Sequence, residues 1–208
     1  MRQVNSGAAG DRRAAILAIA ERHFSASGYQ GASLSAIARE AGLGNPGLLH
    51  HFPSKAKLYR AVLESIAEDV TRHLERGLAG AAAPRAALEL LVAEQFAFFD
   101  RRPAGFRVVQ RELLDNAERV QLAHVLPLKA YLERALGVIK AGQAGGAVRR
   151  DLQPAAVLTL VLGTTAYAAT ARPTFAESLD RAELGAAADW PRTIVDTVLR
   201  TISVDTAR

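Results

Sequence analysis

The chain has 208 residues, half of them hydrophobic, with no cysteine and a formal net charge of +5. That length suits one large or two small domains with a sizeable core, and the missing cysteines exclude disulfides, thiolate metal sites and thiol nucleophiles. The charge is unevenly placed: residues 1–60 hold eight Lys/Arg against three Asp/Glu, while residues 61–208 hold 18 of each, so the whole excess lies in the first segment.

The opening run M-R-Q-V-N-S-G-A-A-G-D-R-R has no apolar stretch of the kind a signal peptide needs and reads as a flexible basic arm. With the absent cysteines, this fits a cytoplasmic protein. Asp11 is expected to cap a helix running to about Ser27, with Leu17, Ala20 and Phe24 on its buried stripe and Gly28 just past its end. Ser33 is a good N-cap for a short helix that carries Leu34, Ile37, Ala38 and Ala41 on one face. Gly42 permits the left-handed conformation that ends it. A further short helix starts near Asn45, tolerates Pro46 in its first turn, and sets Leu48 and Phe52 one turn apart, facing back. Two short helices joined by a tight glycine turn make a helix-turn-helix, whose second helix enters the major groove of DNA.

Gly42, Gly44 and Gly47 also satisfy G-x-G-x-x-G, but that dinucleotide fingerprint needs a preceding strand and an acidic residue about 20 positions on. Here a helical pattern precedes it, and the next acidic residue is Glu64, inside another helical stretch.

Three pieces carry a family resemblance: A-I-L-x-x-A-x-x-x-F-x-x-x-G-Y at Ala15–Tyr29, S-L-S-A-I-A-R-E-A-G-L from Ser33, and L-L-H-H-F-P-S-K at Leu48–Lys55. From Arg12 to about Leu63 the chain resembles the DNA-binding domain of the TetR (tetracycline-repressor-like) family of bacterial regulators. It departs from the family's pattern at Gly44, where a serine is frequent. Leu49 lacks the hydroxyl that the family's tyrosine offers to a phosphate, and Ala56 and Lys57 stand where an acid often follows the lysine. The resemblance implies a ligand-responsive transcriptional regulator, a repressor in the first instance. It would act on double-stranded palindromic operator DNA as a homodimer and answer to an unknown small-molecule effector. The DNA-facing set is Ser33, Arg39, Gly44, Asn45, Gly47, Leu49, His50, Lys55 and Lys57. Asn45 suits a bidentate contact to adenine and Leu49 an apolar contact to a thymine methyl, whereas Ser33, Lys55 and Lys57 sit at helix N-termini where phosphates bind. A plain alternative for Asn45 is that it only caps its helix. The surplus of five positive charges on the same segment fits a phosphate footprint.

Pro53 and Ser54 open a longer helix with Leu58, Val62, Ile66, Val70 and Leu74 on its buried side, fading near Gly77–Gly80. The Ala/Gly-rich stretch Leu78–Pro84 reads as a loop between lobes. Beyond it no strand pattern occurs. Helices are expected over Pro84–Asp100 (Leu88, Leu91, Val92, Gln95 and Phe99 inward) and from Pro103 (Phe106, Val109, Gln110 and Leu113 inward). A third runs over about Ala117–Gly142, broken or kinked at Pro127, with Leu128, Tyr131, Leu132, Ala135 and Ile139 on its stripe. Gly142, Gly145 and Gly146 mark a turn. Pro154–Ala171 is 18 residues without a charge, at the lower edge of a membrane-spanning length. Its four threonines and many alanines are too weakly apolar, and flanking aromatic belts are missing, so no membrane is implied. A helix apolar on all sides must be buried on all sides, which a second copy of the chain would achieve. Arg172–Ala188 reads as a mixed loop, and Asp189 begins a last helix with Ile194, Val195, Val198, Leu199 and Ile202 in a broad stripe. The expected dimer contact is therefore a four-helix one through Gly163, Ala166, Thr170, Ile194, Val198 and Leu199.

Metal and catalytic chemistry find little support. His50 and His51 are adjacent and diverge on a helix, and no H-E-x-x-H or E-x-x-H occurs; no metal or cofactor is expected. Glu112 and Asp115 share a helix face, but a solvated surface or an ion pair with Arg111 or Arg119 accounts for them. His124 has no nucleophile motif beside it, so an enzyme is not expected. The family's second lobe usually encloses a small-molecule cavity. Gln95, Phe99, Phe106, Gln110, Tyr131, Thr164 and Tyr167 are the candidates to line it, core packing being the alternative for each. The expected fold is all-α. An N-terminal three-helix helix-turn-helix domain (residues 10–70) is joined by a long helix to a helical ligand-binding and dimerisation lobe (residues 71–208). A scaffold or ligand-binding protein that kept this fold without DNA binding is the other reading.

Overall fold

The computed structural model describes residues 5–115 and 127–204, and among them the chain forms ten helices and no strand. These are α1 (Asn5–Gly31), α2 (Leu34–Glu40), α3 (Asn45–His51), α4 (Lys55–Leu78), α5 (Pro84–Arg101), α6 (Pro103–Asp115), α7 (Lys129–Ala144), α8 (Pro154–Ser178), α9 (Arg181–Leu184) and α10 (Trp190–Ile202). The all-α expectation holds. An isolated bridge, Val148 with Ser203, pairs the turn after α7 with the end of α10.

Contacts divide the described residues into two compact units, Met1–Asp69 with Arg102–Lys129, and Val70–Arg101 with Ala130–Arg208. This division also falls near residue 70, and it places α6 with the first unit. The reason is electrostatic as well as apolar. Arg102 grips the buried Glu21 of α1 through Nε and Nη2 (2.6–3.1 Å) and donates to Ser65 O and Oγ. Arg107 and Arg111 donate to Ser25 Oγ and Ser25 O near the end of α1, and the Tyr59 hydroxyl donates to Glu112 at 2.6 Å. Val108 and Glu112 of α6 are thus buried, and Leu113, expected inward, is 71% exposed.

Elsewhere in the first unit, Leu17, Ala20 and Phe24 of α1, Ile37 of α2, Leu48, Phe52, and Leu58, Val62 and Ile66 of α4 are buried as expected. Asp11 lies inside α1, not at its cap, because the helix already runs from Asn5. Gly28 (φ 67) breaks the helix where the sequence placed its end.

In the second unit, Leu88, Leu91 and Val92 of α5, Ala135 and Ile139 of α7, Val157 and Val161 of α8, and Val198, Leu199 and Ile202 of α10 are buried. Phe96 with Ala168 and Ala169 forms a cluster on which Phe99, Trp190, Ile194 and Val195 pack. Leu132 is exposed rather than on the α7 stripe. The expected helical stretch before Pro127 lies outside the described residues, and α7 begins at Lys129. α8 does not stop at Ala171: it continues through Pro173 to Ser178. Its last turns are held by the Arg172 guanidinium over the Trp190 ring and by Tyr167 against Phe175.

Candidate nucleic-acid interface

The helix-turn-helix is built from short-range chemistry. The Ser33 hydroxyl accepts from Ala36 N at 3.3 Å and so caps α2, while also bonding Ser35 Oγ at 2.8 Å. Gly42, at φ +66, turns the chain out of α2. α3 is capped by Gly44, which has no side chain to contribute, so Asn45 is the first helical residue and not the cap. Leu48 and Phe52 are 0% and 3% exposed, which turns Asn45, Leu49 (41% exposed) and His50 to the outside. Gly44 and Pro46 share that exposed surface and Gly47 is half-buried.

Other side chains hold α3 in place, and spacing gave no sign of them. The Arg13 guanidinium lies 5.0 Å above the Phe52 ring. Glu40, at the end of α2, pairs with Arg22 (2.6 Å) and His23 (2.8 Å) of α1, and these bonds, Arg22 first, hold its carboxyl below the usual range. Phe24 and Tyr29 lie nearly parallel, and Tyr59 meets both rings edge-on.

Among the expected DNA-facing cations, Arg39 and Lys57 are exposed. Lys55 is committed elsewhere: its ammonium donates to Gln30 O at 2.9 Å and lies 5.1 Å from the Tyr29 ring, tying the start of α4 to the end of α1. The rings of His50 and His51 are 5.8 Å apart and inclined by 70°. No cluster of three potential metal ligands occurs among the described residues.

Two family models match this chain. Bacterial regulatory proteins of the tetR family match residues 16–62, and the tetracyclin repressor-like C-terminal domain matches residues 84–198, more than half of the chain. The chain belongs to the TetR family. It is a DNA-binding transcriptional regulator of that family. The repressor NicS of Pseudomonas putida is 29% identical over 191 residues, covering 89% of each chain. The repressor KstR2 of Rhodococcus jostii is 28% identical over 148 residues, covering 71% of this chain and 72% of its own. Among solved structures, KstR2 of Mycobacterium tuberculosis superposes with a TM-score of 0.70 at 21% identity, covering 98% of both chains. FadR of Bacillus subtilis, in complex with stearoyl-CoA, superposes with 0.71 at 20% identity over 91% of this chain and 98% of its own.

The TetR-family expectation of an effector cavity meets a mixed arrangement. Tyr131 is buried in the second unit and its hydroxyl accepts from the Gln95 amide, which also donates to Leu91 O. Burial pushes that phenol up to about 12, against a smaller opposing effect of the Gln95 bond. Phe99 packs on the Phe96 cluster and Thr164 is half-buried. Phe106 is buried, but it and Gln110 belong to the first unit, since α6 packs on α1. Tyr167, 66% exposed, stands on the outer surface of α8 and lines no interior.

The expected dimer set divides in the same way. Gly163 and Thr170 are exposed, Ala166 and Ile194 half-buried. Val198 and Leu199 are 2% and 4% exposed because they face their own α5 and α8, so they are core of the protomer and not contact surface. The exposed residues Ala156, Leu160, Gly163, Tyr167 and Thr170 form one continuous stripe along α8.

Glu112 is not on a solvated surface: it is buried and accepts from the Tyr59 hydroxyl. Arg119, His124 and the Asp115 side chain lie outside the described residues.

Proposed function

We propose that this regulator is a homodimeric, cytoplasmic repressor that holds a palindromic operator through α3 and releases it when a small molecule occupies its second unit. The observation that carries this reading is the outer surface of α3. Asn45 stands exposed at its first position with no capping duty, Leu49 stands one turn on, and Arg39 and Lys57 stand exposed on the flanking helices. A two-fold dimer presents two such helices about one helical turn of DNA, roughly 34–36 Å, apart. NicS and KstR2, named as repressors, support the sign of regulation. FadR, held with stearoyl-CoA, supports a small-molecule effector.

The stripe on α8 supports the dimer. Gly163 has open space where a Cβ would be, so nothing in its own protomer requires glycine there. A second α8 packed closely against it would. The effector acts by binding more tightly to the state whose recognition helices are wrongly spaced. Moving a 1:99 equilibrium to 99:1 takes about a 10⁴-fold preference. α4 is continuous from Lys55 to Leu78 and is the lever between the units.

A gel-shift titration against the DNA upstream of the protein's own gene tests this reading. Binding should be specific, and log K should fall with log salt by about 0.9 for each phosphate neutralised. A flat salt dependence, or no preference over random DNA, overturns it in favour of a scaffold of the same fold.

A further inference from the structure

Arg172 is the last residue of α8 before Pro173, and its surroundings are unusual for a cation. The helix continues to Ser178, and Gly185, left-handed at φ +71, turns the following chain. Between these segments lies a pocket of about 630 Å³ lined by Arg172, Ala176, Leu179, Leu184 and residues 185–187. That volume is within the usual range of small-molecule sites, about 300–1,000 Å³. None of the residues expected to line an effector cavity borders it.

Among the described residues that line this wall Arg172 is the one that carries a charge, and none of their carboxylates pairs with it. Its guanidinium lies 5.4 Å from the Trp190 ring centroid, Nη2 donates to Gly185 O at 3.2 Å, and Nε is enclosed without any partner. A guanidinium has five N–H donors in a planar fork, and leaving an enclosed one unmade is unfavourable. The nearby acids Glu177, Asp180, Glu183 and Asp189 are all exposed and none borders the pocket. Among the described residues one cation therefore borders a hollow otherwise lined by alanine, leucine and glycine, and its terminal nitrogens make one hydrogen bond, to Gly185 O, while the enclosed Nε does not open onto it.

We propose that this pocket binds a small aliphatic monocarboxylate, its carboxylate held by the Arg172 fork and its chain lying against Leu179, Leu184 and the alanines. One fixed positive charge matches one carboxylate, and the planar fork matches its two oxygens. A phosphate would leave a further charge and oxygens against alanine and leucine. The site does not depend on how the protein meets DNA. Arg172 follows Gly163 by nine residues, two and a half turns at about 3.6 residues per turn. It therefore lies on the opposite side of α8 from the stripe assigned to the second copy.

Trp190 is the chain's single tryptophan and Arg172 stacks on it, so the full-length protein reports on its own site. Sodium hexanoate, hexanamide and sodium phosphate are titrated at one ionic strength, with Trp190 emission and calorimetry as readouts. Hexanoate should give a saturable change and bind at least about tenfold more tightly than hexanamide, the difference made by a charge-assisted pair. Arg172→Gln should remove that preference while leaving hexanamide unaffected, and Ala176→Phe, which fills the hollow without touching the charge, should weaken both. Equal binding of hexanoate and hexanamide, equal competition by phosphate, or no saturable binding at all overturns the proposal. So does unchanged hexanoate affinity in Arg172→Gln. If that variant fails to fold, undiminished hexanoate binding by Ala176→Phe overturns it instead.

Discussion

Asn45 and Leu49 share the outward surface of α3 but can ask different things of a base pair. An exposed amide at the first helical position can pair bidentately with adenine, whereas an aliphatic side chain discriminates only by apolar contact. With Gly44 as the cap, Asn45→Ala leaves the helix start intact and should cost about 1–3 kcal/mol at the operator, relaxing preference at one base position. Equal weakening of operator and random DNA in a competition gel shift would count against Asn45 as a reader. Lys57→Ala should weaken all sequences alike and make the salt slope shallower by about one. Lys55→Ala is a poorer probe, because it also cuts the bond to Gln30 O. Tyr131 carries a separate prediction. Its phenol, ordinarily near 10, is pushed up to about 12 by burial, so the folded chain keeps a proton that the unfolded chain gives up. The stability this contributes is complete below pH 10 and is lost as pH rises towards 12. A Tyr131→Phe difference titration of tyrosinate absorbance should place that ionisation well above 10 and near 12.

At the scale of elements, α6 is the surprise. Its sequence pattern is an ordinary amphipathic one, and its contacts are those of the DNA-binding unit. Arg102 and Glu21 form a nearly buried pair, 21% and 8% exposed at their side chains. Removing one partner of such a pair strands the other charge. Arg102→Ala should therefore destabilise the protein by about 3–5 kcal/mol, and the double variant Glu21→Ala with Arg102→Ala should recover part of that loss in denaturant melts. If the single and double variants melt alike, the pair is not what holds α6 against α1. Because the fork also reaches Ser65 of α4, one side chain joins three helices of this unit.

For the whole molecule, the decisive variable is the second copy. Val198→Asp is unsuitable as a test, since it would bury a carboxylate within the protomer, where Val198 is 2% exposed. Gly163→Arg is clean: a Cβ there meets nothing within 4 Å, and the long side chain projects from the exposed stripe. Light scattering should report a monomer with an unchanged circular dichroism spectrum and much weaker operator binding. A variant that stays dimeric would place the interface elsewhere.

The helix-turn-helix is legible in the chain alone, because capping and turning are local. Ser33 three residues before an amide, a left-handed glycine at 42, and Leu48 four residues from Phe52 need no distant partner to be recognised. The stripe of α4 was equally legible, since all five of its expected residues are buried. Outcomes that depend on which neighbour a surface meets emerged only in the folded chain. α6 joined the first unit through arginines that bond backbone and hydroxyl oxygens more than 80 positions away in the chain, pairings that leave no periodic trace. Leu113 and Leu132 look like core residues in the pattern and are exposed. Val198 and Leu199 were apolar enough for an interface, but their own α5 and α8 took them first. α8 continued through Pro173 to Ser178, with Arg172 over the Trp190 ring and Tyr167 against Phe175 on either side of the proline, contacts that no pattern in the chain announces.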